Sequence, residues 1–170
     1  MIQTYFGNGK GKTTASVGAA VRYAGSGKQV LFVQFLKNHD SSELKVLESI
    51  QGIRVLSSKE PYHLFDNLKE ERTARLALAY QTLLLEEIPQ YMVECQMLVL
   101  DEVLDAVSFG YIEESQLFNF LSELRADKEI VLTGHRLIET IAGISDYISE
   151  IKAVSHPYTK GVLPREGIEF

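Results

Sequence analysis

The stretch of this chain best equipped for chemistry is Gly7-Asn8-Gly9-Lys10-Gly11-Lys12-Thr13-Thr14, which packs glycines, lysines and two adjacent hydroxyls into one short segment. Glycines let several backbone N–H groups converge on one anion, and a helix starting here turns its partially positive N-terminus toward the same point. Lys12 adds a point charge, and the Thr13 hydroxyl can ligate a magnesium ion that bridges phosphates. A triphosphate is the expected ligand. The common P-loop spacing, G-x-x-x-x-G-K-[ST], requires glycine at position 6, where this chain has Phe6, so the loop is one residue short. A tighter loop seats phosphates differently from that of a common nucleotide hydrolase. Phosphate binding is therefore signalled while the reaction is left open.

A second set of candidates is Asp101-Glu102, which follows the buried-type run Met97 to Leu100. An acid at the end of a central strand beside a phosphate loop can hold magnesium directly or through its waters. Glu102 is assigned the metal and Asp101 the orientation of the loop. Gly134-His135-Arg136 also follows an apolar run and should reach the same edge, where Arg136 can clamp a phosphate oxygen bidentately or simply open a helix in solvent. His63 and His156 stand at no metal-ligand spacing and read as loop or surface residues. Ser16 and Cys95 carry no triad signature, so nothing here favours a protein nucleophile.

These groups need a scaffold that brings them to one edge. Ile2 to Phe6 reads as a buried strand feeding the glycine loop, and Val17, Ala20, Val21 and Ala24 fall at helical spacing before Gly25-Ser26-Gly27-Lys28. Gln29 to Leu36 is a β-branched and aromatic run of the kind covered on both faces. Leu44, Leu47 and Ile50 mark a helix, Ile53 to Leu56 a strand, and Ser57 to Asn67 an irregular, functional loop. Leu68 to about Ile88 is helical, with Leu76, Tyr80, Leu83 and Leu84 on one face and Pro89 stopping or kinking it. Met97 to Leu100 is the fourth strand, Leu117, Phe118, Leu121 and Leu124 form a helical face, and Glu129 to Thr133 and Tyr147 to Ile151 complete six strands. Strands alternating with helices imply an α/β fold: a parallel, P-loop NTPase-like (RecA-like) sheet flanked by helices, with ligands at the carboxyl ends of its strands. The tail, His156 to Phe170, should wrap the surface.

At 170 residues and 45% apolar composition the chain suits one domain, residues 1–170, around one core. Its net charge of -6, with acids and bases interspersed, lacks the basic face that a nucleic-acid binder uses, so nucleic acid is not an expected partner. Cys95 is the only cysteine, which excludes an intrachain disulfide or thiolate cluster and fits a reducing cytoplasm. No uncharged stretch approaches the roughly 18 apolar residues of a membrane span. A soluble, cytoplasmic protein is expected.

GNGKGKTT, VQFLKN (Val33 to Asn38), LVLDE (Leu98 to Glu102), LTG (Leu132 to Gly134) and HPYTKGVLPREGIEF (His156 to Phe170) together resemble the P-loop type of ATP:corrinoid adenosyltransferases, nearly from end to end. The short phosphate loop is that family's own form. The resemblance implies transfer of the 5′-deoxyadenosyl group of ATP to Co(I) of cobalamin or a related corrinoid such as a cobinamide, with release of triphosphate. It further implies reversed ATP binding, Mg2+, a reductase that supplies Co(I), and a homodimer. Lys12, Thr13 and Glu102 would be catalytic, Thr13 and Glu102 would hold the metal, and Gly7, Asn8, Gly9, Lys10, Gly11, Lys12, Thr13 and Thr14 would bind ATP. Reduced cobalt is itself the nucleophile and carries no proton. Attack at the ribose C5′ therefore needs positioning and a stabilised leaving triphosphate, not a general base.

The chain departs from the family pattern in three places. The family usually has arginine directly after the T-G of the fifth strand; here His135 stands there, and Arg136, one place later, is expected to replace it at the phosphates. Relatives place a phenylalanine and a tryptophan against the corrin, whereas this chain has no tryptophan, and Tyr62 with Leu64 or Phe65 aligns with that pair. The chain also begins directly at its first strand, so less cover over the site is expected. Two other readings predict different products. A P-loop ATPase or kinase would release phosphate or ADP, and a nucleotide- or corrinoid-binding module would bind without alkyl transfer.

Overall fold

The computed structural model describes residues 1–38, 41–62, 70–157, 161–163, 165, 167 and 168. His63, Leu64 and Phe65 lie outside the described residues, as does part of the tail motif. Six strands form a single sheet: β1 (Ile2–Phe6), β2 (Val30–Gln34), β3 (Ile53–Ser57), β4 (Met97–Asp101), β5 (Glu129–Gly134) and β6 (Tyr147–Glu150). Their order is β3-β2-β4-β5-β1-β6, and every pairing is parallel. This is the α/β, P-loop NTPase-like sheet that the alternation of strands and helices implies.

Register explains how distant residues meet. Phe6 stands opposite Gly134, and Gln34 opposite Asp101, so four strands end together at one edge. The glycine loop, Lys37, Glu102 and His135 each follow directly from one of those ends. The central strands are apolar on both faces because helices cover both. On one face Val30, Phe32, Val99 and Val131 pack with Ala20 and Ala24 of α1 (Lys12–Ala24) and Leu44 and Leu47 of α2 (Ser42–Leu47). On the other, Leu31, Val33, Leu98, Leu100, Ile130 and Leu132 meet α3 (Glu70–Thr82), α4 (Ile88–Met92), α5 (Val103–Ser108), α6 (Glu114–Leu124) and α7 (Glu139–Ala142).

Two local expectations are corrected. The buried stripe of α1 is Lys12, Ser16, Ala20 and Ala24, and Val21 faces solvent; small side chains let the helix lie close to the sheet with its lysine beneath the loop. The helix before Pro89 does not stop there. It passes through a π-helical turn, Leu83–Glu87, and continues as α4 to Met92, with Pro89 in the first turn of α4. A proline ring collides with the carbonyl four residues back in a regular α-helix, and the wider turn removes that clash while keeping Leu84 and Ile88 in the core.

Candidate functional site

Gly7 to Thr14 forms a loop between β1 and α1, tied at both shoulders to neighbouring strand ends. The Gly7 N–H donates to the His135 carbonyl at 3.2 Å, the Gly9 N–H to the Ile151 carbonyl at 2.8 Å, and the Ala153 N–H to Asn8 Oδ1 at 3.1 Å. Gly7 has φ 117°, and a Cβ on it would come within 2.4 Å of the Ile151 oxygen, so only glycine permits this approach. The glycines at 7 and 9 thus dock the loop with amides that are already engaged. The first intrahelical bond here is from Ala15 N–H to the Gly11 carbonyl. The N–H groups of Lys12, Thr13 and Thr14 are left as the helix's open donors, the arrangement that suits an anion.

Lys12 is buried, and its Nζ donates to the carbonyls of Gly7 at 2.9 Å and Gly9 at 3.1 Å. Asp101, at the end of β4, is fully buried. Its Oδ1 accepts from Thr133 Oγ1 at 2.8 Å, and its Oδ2 accepts from Thr13 Oγ1 at 3.2 Å, Gln34 Nε2 at 3.3 Å and Lys37 Nζ at 3.4 Å. One carboxylate therefore joins β2, β4, β5 and the first turn of α1. Although burial lowers its pKa, Lys37 is held above the ordinary lysine range by the charges of Asp101, Glu43 and Glu102.

Glu102 adopts a left-handed backbone, φ 62°, a conformation that costs a non-glycine residue about 1–2 kcal/mol. The bond from its N–H to Thr133 Oγ1, 2.7 Å, holds that turn. Burial, a hydrogen bond shared with Asp105, and the charges of Asp101 and Asp105 push its carboxyl up to about 8. Asp105, three residues on in α5, goes the other way. Burial opposes it, but bonds from His135 and Glu102 hold it below the usual carboxylate range. Its Oδ2 lies 2.8 Å from His135 Nδ1, and the His135 N–H reaches both its oxygens, at 3.1 and 3.0 Å.

Asn8 to Thr14, Val17, Lys37, Ser42, Glu43, Val46, Glu102 and His135 line one cavity of about 570 Å³, together with His156, Gly167 and Ile168 of the tail. Sequence reasoning put the Gly7–Thr14 loop and Glu102 there. Lys37, Glu43, Asp105 and a cavity-facing His156 were missed; the glutamate-to-aspartate spacing of three, one helical turn, was the available signal for Asp105. Arg136 is exposed and does not line the cavity, whereas His135 does. Tyr62 is buried in the core alongside Tyr80, its N–H bonded to Asn38 Oδ1, and its hydroxyl is pushed up by burial and by the charges of Tyr111, Asp105 and Glu102. Phe65 is outside the described residues.

A model of the family described as ATP:corrinoid adenosyltransferase BtuR/CobO/CobP matches residues 1–170. The chain belongs to this family. Relatives agree with that placement. The corrinoid adenosyltransferase CobA of Salmonella typhimurium is 29% identical over 174 residues, covering 100% of this chain and 85% of its own. The corrinoid adenosyltransferase of Escherichia coli K12 is 29% identical over 173 residues with the same coverage, and one from Sinorhizobium is 27% identical over 170 residues, covering 96% of this chain and 77% of its own. Among the folds and activities weighed from the sequence, the adenosyltransferase reading is the one supported. The chain is a transferase of this family, and its substrates are ATP and a corrinoid. No helix among the described residues is long and apolar enough to cross a membrane.

Proposed function

We propose that this adenosyltransferase binds the triphosphate of ATP on the Gly7–Thr14 loop and presents the ribose C5′ to Co(I) of cobalamin or a related corrinoid, releasing intact triphosphate. The observation that carries the reading is the convergence of Lys12, Thr13 and Glu102 on one cavity at the carboxyl edge of the sheet. Lys12 neutralises charge that builds on the departing triphosphate, and the open amides of the first helical turn do the same. Asn8 fixes the loop against the chain after β6, and Asp101 orients Thr13.

Thr13 and Glu102 supply hard oxygen donors to the same cavity, the kind of set that suits Mg2+. When bound, Mg2+ neutralises phosphate charge and lowers the cost of triphosphate departure. Its binding requires ionised Glu102, a change that the nearby Lys37 favours. We assign the corrin side to the segment of Tyr62 and Phe65, with Tyr62 anchoring it to the core. Residues 1–170 act as one domain, in a homodimer in the cytoplasm, with a separate reductase delivering Co(I).

The decisive experiment incubates the protein with ATP, Mg2+ and chemically reduced corrinoid and follows the visible spectrum. A photolabile cobalt–carbon product and stoichiometric tripolyphosphate are expected. Phosphate or ADP as the product would overturn the reading in favour of a hydrolase or kinase.

A further inference from the structure

We propose that Tyr80 is a positioning residue for both substrates: its hydroxyl holds the strained turn after β2, Leu36 to Asn38, through which Lys37 enters the nucleotide cavity and Asn38 holds Tyr62. This rests on the reading of that cavity as the ATP site and of the Tyr62 segment as the corrin side.

Among the described residues, Leu36 and Glu102 are the non-glycine residues with left-handed backbone, at φ 54° and 62°. Both stand just past the ends of neighbouring strands, where Gln34 of β2 faces Asp101 of β4. L side chains rarely adopt this conformation, and it persists where the surroundings enforce it. In each case a hydroxyl accepts the strained residue's own N–H. Thr133 does this for Glu102 at 2.7 Å, and Tyr80 does it for Leu36 at 2.9 Å. The first turn delivers a carboxylate to the cavity and the second an ammonium: Lys37 lies in the cavity wall, 3.4 Å from both Asp101 Oδ2 and Glu43 Oε1. One residue further on, Asn38 Oδ1 accepts the Tyr62 N–H, which ties the same turn to the segment assigned to the corrin.

The surroundings of Tyr80 hold its hydroxyl still. The residue lies on α3, is fully buried, and meets Phe35 edge-on at 5.4 Å and Tyr111 at 5.7 Å between ring centres. Phenylalanine would make the same ring contacts, so the oxygen is the part that packing does not account for. Phe35 directly precedes the turn, and its N–H still continues the ladder to the Asp101 carbonyl at 2.9 Å. The chain therefore leaves the sheet at Leu36, beside a residue that the core fixes. Leu36 itself packs on that core, so the turn is clamped by its side chain as well as by its N–H. Without the hydroxyl, the Leu36 N–H loses this partner and the left-handed geometry is no longer offset. The backbone then relaxes toward ordinary angles, and Lys37 and Asn38 move away from their partners together.

The test uses the full chain and reads ATP binding separately from alkyl transfer. Calorimetry with ATP and Mg2+ should show that Tyr80→Phe weakens ATP binding about threefold to tenfold, the range for one neutral hydrogen bond. In the same variant, steady-state kinetics should show KM for the reduced corrinoid rising as well. Lys37→Ala should also weaken ATP binding, and adding Tyr80→Phe to it should cost little more, because the hydroxyl acts on ATP through that lysine. Leu36→Gly in the Tyr80→Phe background separates positioning from plain support of the fold. Glycine takes the left-handed turn without strain, so ATP affinity should recover in part even as the lost leucine contacts lower Tm further. Parent-like ATP affinity or corrinoid KM in Tyr80→Phe, additive losses with Lys37→Ala, or ATP affinity that simply follows Tm across the variants would each overturn the assignment. All but the last of these outcomes use chains that keep Leu36, so they decide the matter whether or not the glycine variant folds. If the ATP losses and recovery appear but no cobalt–carbon product forms even with the parent, the proposed reaction fails while the role of Tyr80 at the nucleotide cavity stands.

Discussion

Lys12 and Glu102 both line one cavity and are both largely kept from water, but their charges are handled in opposite ways. Lys12 is held by two loop carbonyls, and in the proposed reaction an incoming phosphate oxygen replaces them. Lys12→Ala should lower kcat/KM for adenosyl transfer by about 100-fold or more, the scale seen when one fixed donor to a developing oxyanion is removed. Stopped-flow formation of the cobalt–carbon bond checks this, and near-parent turnover would mean that the leaving group is stabilised elsewhere. Glu102 is raised to about 8, so near neutrality it holds a proton that a metal must displace. Below that value, apparent Mg2+ affinity should rise with pH, by up to about tenfold per pH unit for one proton released. Glu102→Gln should both weaken Mg2+ binding and flatten that dependence, as read by metal titrations at several pH values.

The elements that carry these residues were largely legible in the sequence, because a parallel sheet covered on both faces writes each strand as a short apolar run between glycines and acids. The first five strands and the order of loop, acid pair and T-G-H exit follow from that pattern, whereas β6, an edge strand exposed at every residue, does not show it. Helix details were less legible. Proline ordinarily ends a helix, and nothing local announces that a wider turn at Leu83–Glu87 lets the chain run on to Met92. Within the site, motif spacing exposed the loop and Glu102, but Asp105 and Lys37 act through partners far away in sequence, His135 and Asp101, which only the register of β2, β4 and β5 brings near. Gly134 is where this dependence can be tested at the level of elements. Gly134→Ala places a methyl group 2.6 Å from Leu104 Cβ, and pushing α5 away should cost about 1–3 kcal/mol. For a chain of this size that is a fall in Tm of several degrees. An unchanged Tm would show that α5 shifts freely.

For the whole molecule, gathering Asp101, Glu102 and Asp105 at one end of the sheet makes stability depend on pH in a direction set by the site. Glu102 has a folded value of about 8 against an ordinary 4.5, so the native state binds its proton more tightly than the unfolded chain does. The stability that this protonation contributes is fully present below about pH 4.5 and is lost as pH rises through about 8. Asp105, held below 3.8, contributes stability present above that value and lost as pH falls through its depressed folded value, so it leaves the neutral range flat. Without metal or nucleotide, denaturant unfolding should therefore show stability falling between pH 5 and 8, at a slope of at most about 1.4 kcal/mol per pH unit. Glu102→Gln removes the titrating group and should level the curve while keeping the shape of the side chain. With Mg2+ and ATP present the ionised form is the one bound, so the same protein should lose less stability, or gain it, over that range. A parent curve as flat as that of Glu102→Gln would mean that the acid cluster relaxes into water instead of storing a proton, and that the site is not preorganised for a cation.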